Sequence, residues 1–453
     1  MTRLACLAIG GAVLAACAPV GPSTDPGTPL LPATFVSGDS APLGAVTMDP
    51  WWRDLNDALL TSMVERGLQS SLDIAQARSR IVEAEAAARA IGAAGGSLAA
   101  ESTARGGDGQ ATTRSDSVTL TGTLAIDLFG GDYRQREAAL ASLRAAELDA
   151  GTARLAYLSA IVTNYINARY YQNAGALARS GLTAREQTLA LVRGRHAQGL
   201  ATELELAQAQ AALDTARADI PAYDMGFEAS AYAIATLLAE PTARVLADMQ
   251  RGASQPRASG PASAGVPADL LLNRPDVASA RAAYVAALAA VGVSEAAMRP
   301  ALSLGGTITA SGATGWSLGP SLILPVFNQG ALAANRDAAA ARAVTAGLAW
   351  QSSVNAAVDE VQAAQSGYVH NRRILANREA AAESQARAET LTREAWENGG
   401  EALSTLITAQ LSTTSTRSAA AGAARDAALA WMRLQIAVGR GWEQAGELVP
   451  AAG

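Results

Sequence analysis

The sequence predicts an α+β membrane protein with very long helices, four short strands and an internal duplication. Three observations carry this. Prolines are absent from Trp51 to Ile220 and again from Val326 to Val449, and an interior proline costs a helix about 3 kcal/mol. Two stretches alternate apolar and polar residues over about the 9–11 positions a tilted membrane strand needs. Landmarks of different kinds recur in one order about 200 residues apart, which marks a repeated unit.

The chain starts with a targeting segment, residues 1–16. Met1-Thr2-Arg3 is a short positive start, and the apolar run Leu4–Ala16 is too short to span a bilayer as a helix. It ends Leu14-Ala15-Ala16-Cys17, which resembles a bacterial lipobox rather than an ordinary cleavage site beside a chance cysteine, so Cys17 is expected to be acylated and to become the mature N-terminus. Cys6 leaves with the signal, so no intrachain disulfide is expected. Ala18, rather than an aspartate, follows the cysteine and favours the outer membrane as destination. Residues 17–48 carry Pro19, Pro22, Pro26, Pro29, Pro32 and Pro42 among Gly, Ser and Thr, and are expected to form an extended, poorly packing tether.

The body follows as a first repeat (residues 49–250), a linker (251–275) and a second repeat (276–453). Within the first, Val118, Leu120, Leu124, Ile126 and Leu128 alternate with Thr119, Thr121, Thr123 and Asp127. A weaker partner strand lies near Leu98–Arg105. Asp132–Gln198 then reads as one helix, with Leu155, Leu158, Val162 and Tyr165 on one face. At about 1.5 Å per residue it reaches on the order of 100 Å, a length suited to coiled-coil packing rather than a compact domain.

The second repeat opens on Asn273-Arg274-Pro275-Asp276, a helix start. Val277, Ala280, Tyr284, Leu288, Val291 and Ala296 form its apolar face, and Arg299-Pro300 stops it. Leu302, Leu304 and Ile308 then alternate with Ser303, Gly305, Thr307 and Thr309, and Leu318, Leu322, Leu324 and Val326 define the last strand. Gly330–Asn398 is the second long helix. Leu324-Pro-Val-Phe327 matches Ile126-Asp-Leu-Phe129, and Asn398-Gly399 with Ala409-Gln410 matches Gln198-Gly199 with Ala209-Gln210.

Four strands cannot close a barrel, whose minimum is about eight, and open strand edges are not tolerated in lipid. If these strands lie in the membrane, several chains must share one barrel; a soluble sheet covered by helices shows the same alternation. No stretch is expected to reach the roughly 18 apolar residues of a membrane-spanning helix.

Other classes of function find little support. The net charge of -6 argues against a nucleic-acid binder. The 2 histidines, His196 and His370, lie far apart in long helices, the methionines are scattered, and no HExxH, P-loop or GxSxG pattern occurs. No enzyme activity, cofactor or metal is expected. Glycines that permit tight αL turns break both long helices, at Gly199-Leu200-Ala201-Thr202 and at Asn398-Gly399-Gly400-Glu401.

Several segments together resemble the TolC/OprM family of outer-membrane efflux proteins, and within it the lipoprotein branch. They are Leu270-Leu271…Arg274-Pro275-Asp276-Val277 with Val291-Gly-Val-Ser294 and Leu302-Ser-Leu304; Asp49-Pro50-Trp51-Trp52; Leu124-Ala-Ile-Asp-Leu-Phe-Gly130; and Thr405-Leu-Ile-Thr-Ala-Gln410. The resemblance covers nearly all of the chain after the signal. It implies a homotrimer in which four strands per protomer build a 12-stranded β-barrel continued by an α-helical coiled-coil barrel. It implies a passive conduit for small molecules, working with a periplasmic adaptor protein and an inner-membrane RND-type pump, in the outer membrane of a Gram-negative bacterium. A conduit for type I protein secretion uses the same fold, and a structural coiled-coil lipoprotein is the third class. The resemblance also implies that Gly199, Leu200, Ala201, Thr202, Gly399 and Gly400 form the adaptor-docking tip. Glu205, Glu401, Thr405 and Thr408 would line the constriction, with Thr408 where the family usually has an acid. Glu205 and Glu401 have a second reading as helix-start acids favoured by the dipole.

Overall fold

The computed structural model describes residues 19–36, 41–91, 96–105, 115–311 and 313–442. Residues 1–16 and Cys17 lie outside the described residues. A 3₁₀ turn, Trp51–Leu55, precedes α1 (Ala58–Ser70) and α2 (Leu72–Ile91), then strands β1 (Gly96–Arg105) and β2 (Ser115–Ile126). The long α3 (Gly131–Ala197) turns into α4 (Glu203–Leu238), and the short α5 (Thr242–Gln250) leads to the linker. The second half holds α6 (Pro275–Ala296), β3 (Ala301–Ser311), β4 (Ala313–Ile323), the long α7 (Gln329–Glu397) and α8 (Leu403–Ala437). The chain divides into two compact units. They do not coincide with the two sequence repeats, since each repeat contributes to both units.

The first unit takes Arg78–Asp149, Asp276–Ser353 and the N-terminal segment up to Leu30. Its centre is one antiparallel sheet in the order β1-β2-β3-β4. The two-residue strand period sorts its side chains by face. Leu120, Leu124 and Ile126 pair with Ile308, Leu304 and Leu302, which pair onward with Trp316, Pro320 and Leu322. The opposite face is a hydroxyl ladder: Ser97 Oγ and Thr123 Oγ1 lie 2.6 Å apart, Thr307 Oγ1 and Ser317 Oγ 2.7 Å, and Thr119 Oγ1 and Thr309 Oγ1 3.3 Å. Pro320 is tolerated because β4 is an edge strand.

Two strand ends fall earlier than the alternation predicts. β2 stops at Ile126 rather than Leu128. Asp127 is recruited to the next helix instead, its carboxylate accepting from the Gly131 and Tyr133 amides at 2.7 and 3.1 Å, a favourable charge at a helix N-terminus. β4 spans Ala313–Ile323, not Leu318–Val326; Pro325 has no N–H to donate, and Leu324, Val326 and Phe327 are left exposed before α7.

The N-terminal segment is extended, yet it packs, which corrects the expected loose tether. Val20 donates its amide to Phe129 O at 3.1 Å, Arg134 Nε donates to Val20 O at 3.0 Å, and Thr24 bonds to Glu137. Gly130 and Gly21 permit this approach. A Cβ at Gly130 would lie 2.5 Å from Pro19 Cβ, and one at Gly21 2.5 Å from Gly292 Cα.

A second correction concerns α6. It is long and apolar enough to cross a membrane, with a mean hydropathy of 1.5 over its best window. Alanine and valine supply that value, and the same small residues let the helix pack closely. Val291 packs with Ala339 and Ala343 of α7, and Tyr284 stacks on Trp350 at 6.2 Å.

The second unit takes Leu31–Ala77, Ala150–Pro275 and the chain from Val354 onward. Leu60, Met63 and Val64 of α1 and Leu158, Ile161 and Val162 of α3 are fully buried. Trp51 meets Trp431 edge-on at 5.9 Å. Leu43 N bonds Asp269, Val46 N bonds Asn273 Oδ1, and Asn273 Nδ2 donates to Gly44 O, so the later part of the proline-rich segment is docked too. Pro221, which punctuates the sequence, does not end a helix: α4 runs through it, and its exposed position lets water serve the carbonyl that loses its partner.

One buried network ties this unit together. Asp57 caps α1, accepting from Leu59 N and Leu60 N at 3.0 and 3.1 Å, and it also accepts from Tyr165 Oη at 2.6 Å. Arg169, 1% exposed, donates to Tyr165 Oη and to the carbonyls of Met249 and Arg251. Burial, with the bond to Asp57, pushes the Tyr165 phenol well above its ordinary value. Asp57→Ala removes a cap and orphans a buried hydroxyl, so it should destabilise the protein by about 2–4 kcal/mol. Tyr165→Phe, which keeps the cap, should cost less. Equal thermal-unfolding midpoints for the two variants would show that the cap contributes nothing.

Candidate functional site: the paired helix turns

Both long helices end the same way. After α3, Gly199 takes φ +74 and after α7 Gly399 takes φ +77. Leu200 N donates to Arg195 O at 2.8 Å and Gly199 N to His196 O at 2.9 Å; Gly400 N donates to Ala395 O at 2.8 Å and Gly399 N to Trp396 O at 3.0 Å. Each is a Schellman motif, which satisfies the last carbonyls of the helix and needs a left-handed residue best supplied by glycine. No heavy atom comes within 4 Å of a Cβ built on either glycine. Backbone conformation, not space, selects glycine at both positions.

Beneath the turns the four helices share a core of Leu189, Val192, Leu213, Trp396, Leu403 and Leu406, with Ala201 packed against it. Arg195 connects the two turns: Nη2 donates to Glu397 O at 3.0 Å and its guanidinium lies 4.4 Å from the centroid of Trp396. Deeper, Gln410 is buried and donates to Thr188 Oγ1 at 2.9 Å. The buried Arg185 donates to Thr414 Oγ1 at 3.5 Å, and burial lowers its affinity for its proton. Sequence inspection missed Arg195 and Trp396; both sit within the last turn before a glycine, where a cation also favours the helix dipole.

The starts of the outgoing helices differ. Thr202 and Glu205 form a full capping box: Glu205 N donates to Thr202 Oγ1 at 3.2 Å, and Thr202 N donates to Glu205 Oε2 at 2.7 Å. Ala402 at the equivalent place offers no side-chain cap, and Thr405 N bonds only to Ala402 O, at 3.1 Å. Of the residues expected at a constriction, Glu205 is therefore engaged locally. Glu401, Thr405 and Thr408 are exposed, with the Thr408 hydroxyl donating to Ser404 O at 2.8 Å. Among the described residues no hydrogen bond or ion pair joins Glu205 to Glu401. Leu200, 72% exposed, and Leu204 have Gly400 and Ser404 as counterparts, so only the first turn presents bulky apolar side chains. No group of three or more His, Cys, Asp or Glu side chains suited to a metal occurs among the described residues.

The family model for outer membrane efflux proteins matches residues 63–240 and 266–440. Nodulation protein T of Rhizobium leguminosarum bv. trifolii is 33% identical over 440 residues, 93% of this chain and 94% of that protein. The pyoverdine export outer membrane protein OpmQ of Pseudomonas aeruginosa is 29% identical, with 87% of each covered. Among solved structures, the Campylobacter jejuni CmeC outer membrane channel superposes with a TM-score of 0.85 at 20% identity, covering 94% of this chain and 95% of that one. The open state of the Neisseria gonorrhoeae MtrE outer membrane channel gives 0.83 at 24% identity, covering 94% and 99%. At those identities the structures establish a shared fold.

The capping difference is measurable. Bonds from Thr202 hold the Glu205 carboxyl below its usual range. A depressed carboxylate pKa stabilises the cap above the unfolded value of about 4.3, and that contribution is lost as pH falls through the depressed value. Amide exchange at Thr202 and Glu205, taken relative to the unprotected rate at each pH, should therefore stay slow at pH 6 and accelerate in acid. Thr202→Ala should accelerate it at both pH values, while Thr405 should exchange fast throughout. Equal protection at Glu205 and Thr405 in the unaltered protein would contradict the asymmetry.

Proposed function

This chain belongs to the outer membrane efflux protein family, and on that premise we propose that it is the outer-membrane channel of a tripartite efflux pump. It is a passive conduit for small molecules, driven by an inner-membrane RND-type pump through a periplasmic adaptor protein. One observation supports this most directly: a four-stranded sheet with an apolar face, a hydroxyl face and two open edges leads into helices of 67 and 69 residues. A sheet with open edges is excluded from lipid unless other chains close it. Three copies give about 12 strands, enough for a pore. Exposed Val344, Leu348 and Leu391 on α7 are the kind of surface that neighbouring copies would cover.

In this reading residues 49–250 and 276–453 are the two efflux repeats joined by 251–275. The turns at Gly199–Thr202 and Gly399–Gly400 dock the adaptor. Glu401, Thr405 and Thr408, with Glu205 behind them, border the constriction. Cys17 carries the lipid that holds the protein in the outer membrane of a Gram-negative bacterium.

Gly199→Val and Gly399→Val should assemble normally, because a β-branched residue in a left-handed position costs only on the order of 1–2 kcal/mol. The altered turns should nonetheless fail to restore drug tolerance to a strain lacking the protein, and adaptor cross-linking there should fall in parallel. Normal tolerance and cross-linking, with the oligomer at its usual level, would make the turns plain connectors. Native mass spectrometry should give a trimer in mild detergent, and a stable monomer would remove the shared barrel.

Labelling with a palmitate analogue should mark the protein and spare Cys17→Ala. Equal labelling of both would place the lipid elsewhere or nowhere.

A further inference from the structure

In a chain with 41 acidic and 35 basic residues, three stretches carry arginine and no carboxylate: 251–266, 361–378 and 403–425. The second unit brings them to one groove. Gln255 Nε2 donates to Ala421 O at 3.0 Å, which lays the linker across α8, and Arg257 reaches Glu379 of α7 at 2.6 Å. Two clefts of about 340 and 170 Å³ lie along this crossing and share Arg257 and Ala424. Arg417 lines the first and Arg372 the second, over a floor made mostly of alanine.

The residues lining the two clefts thus include three arginines, Arg257, Arg372 and Arg417, and one carboxylate, Glu379. Arg417 makes no hydrogen bond or ion pair among the described residues, and Arg372 lies 5.7 Å from the centroid of Tyr368. The planar guanidinium fork matches a carboxylate in a two-point contact. The alanine floor lets a main chain approach closely. Tyr368 is the aromatic residue lining the groove.

We propose that the groove between the linker and α7–α8 binds an extended acidic peptide segment of a periplasmic partner protein. Its carboxylates pair with Arg417 and Arg372 and compete with Glu379 for Arg257.

The test uses the full-length lipidated protein in detergent and a fluorescent eight-residue peptide of alternating Glu and Ala, with a Gln-for-Glu counterpart. Anisotropy should show the acidic peptide binding at least about tenfold more tightly than the Gln peptide, with the difference shrinking as salt rises. Arg372→Gln with Arg417→Gln should abolish that preference, and Arg417→Lys should retain part of it. Glu379→Gln should tighten binding, because it releases Arg257; a merely structural arginine cluster would not respond in that direction. All of these side chains are at least partly exposed, and a native gel checks assembly of each variant. Equal binding of the two peptides, no binding, or an unchanged double variant would overturn the proposal. Arginine-dependent sedimentation with cell-wall sacculi, without peptide binding, would overturn it in favour of the wall polymer.

Discussion

A strand at the margin of a sheet leaves half of its peptide groups without a partner, and hydrocarbon supplies no water to replace one. β1 and β4 occupy that position, and they bracket a face of Leu98, Leu124, Leu304, Trp316 and Leu318 that is far too apolar for water alone. One face wants lipid, while the edges forbid it in isolation. In the trimer we propose, closure by further copies resolves the conflict. The hydroxyl ladder on the opposite face then has an aqueous space to line. The long helices that follow Asp127 and Phe327 in the chain are rich in alanine, which allows neighbouring helices to approach closely.

Much of this was legible in the sequence because the physics is local. Long helices announce themselves by the absence of proline, and both ends of α3 and α7 fell within one residue of the positions read from sequence. Gly199 and Gly399 were legible because a left-handed turn has few alternatives. Strand faces were legible from alternation, but strand ends were not. Alternation through Leu128 and Val326 cannot reveal that Asp127 is claimed by a helix amide or that Pro325 withholds a donor.

Long-range pairing was the larger blind spot. The proline-rich start looked loose because its composition carries no core, yet Arg134 and the Cβ-free surfaces of Gly21 and Gly130 hold it in place. Glu205 could be read as a pore residue or a helix-start acid, and its capping bonds with the Thr202 hydroxyl and amide were not legible as a choice between them. The bonds of Arg195 and Gln410 were invisible because their partners, Glu397 and Thr188, lie some 200 residues away along the chain.

The duplication bears on symmetry. A half-length ancestor with one hairpin and one long helix pair would need twice as many copies to supply the same strands, and all of its turns would be equivalent. The two halves of this chain are not equivalent: one outgoing helix is locked by Thr202 and Glu205, while its twin begins at Ala402 with no side-chain lock. In the proposed trimer, turns with and without a side-chain lock would occur in equal number, one of each per chain. Its symmetry would then be that of whole chains rather than of half-chains, because the two turns of each chain are no longer equivalent.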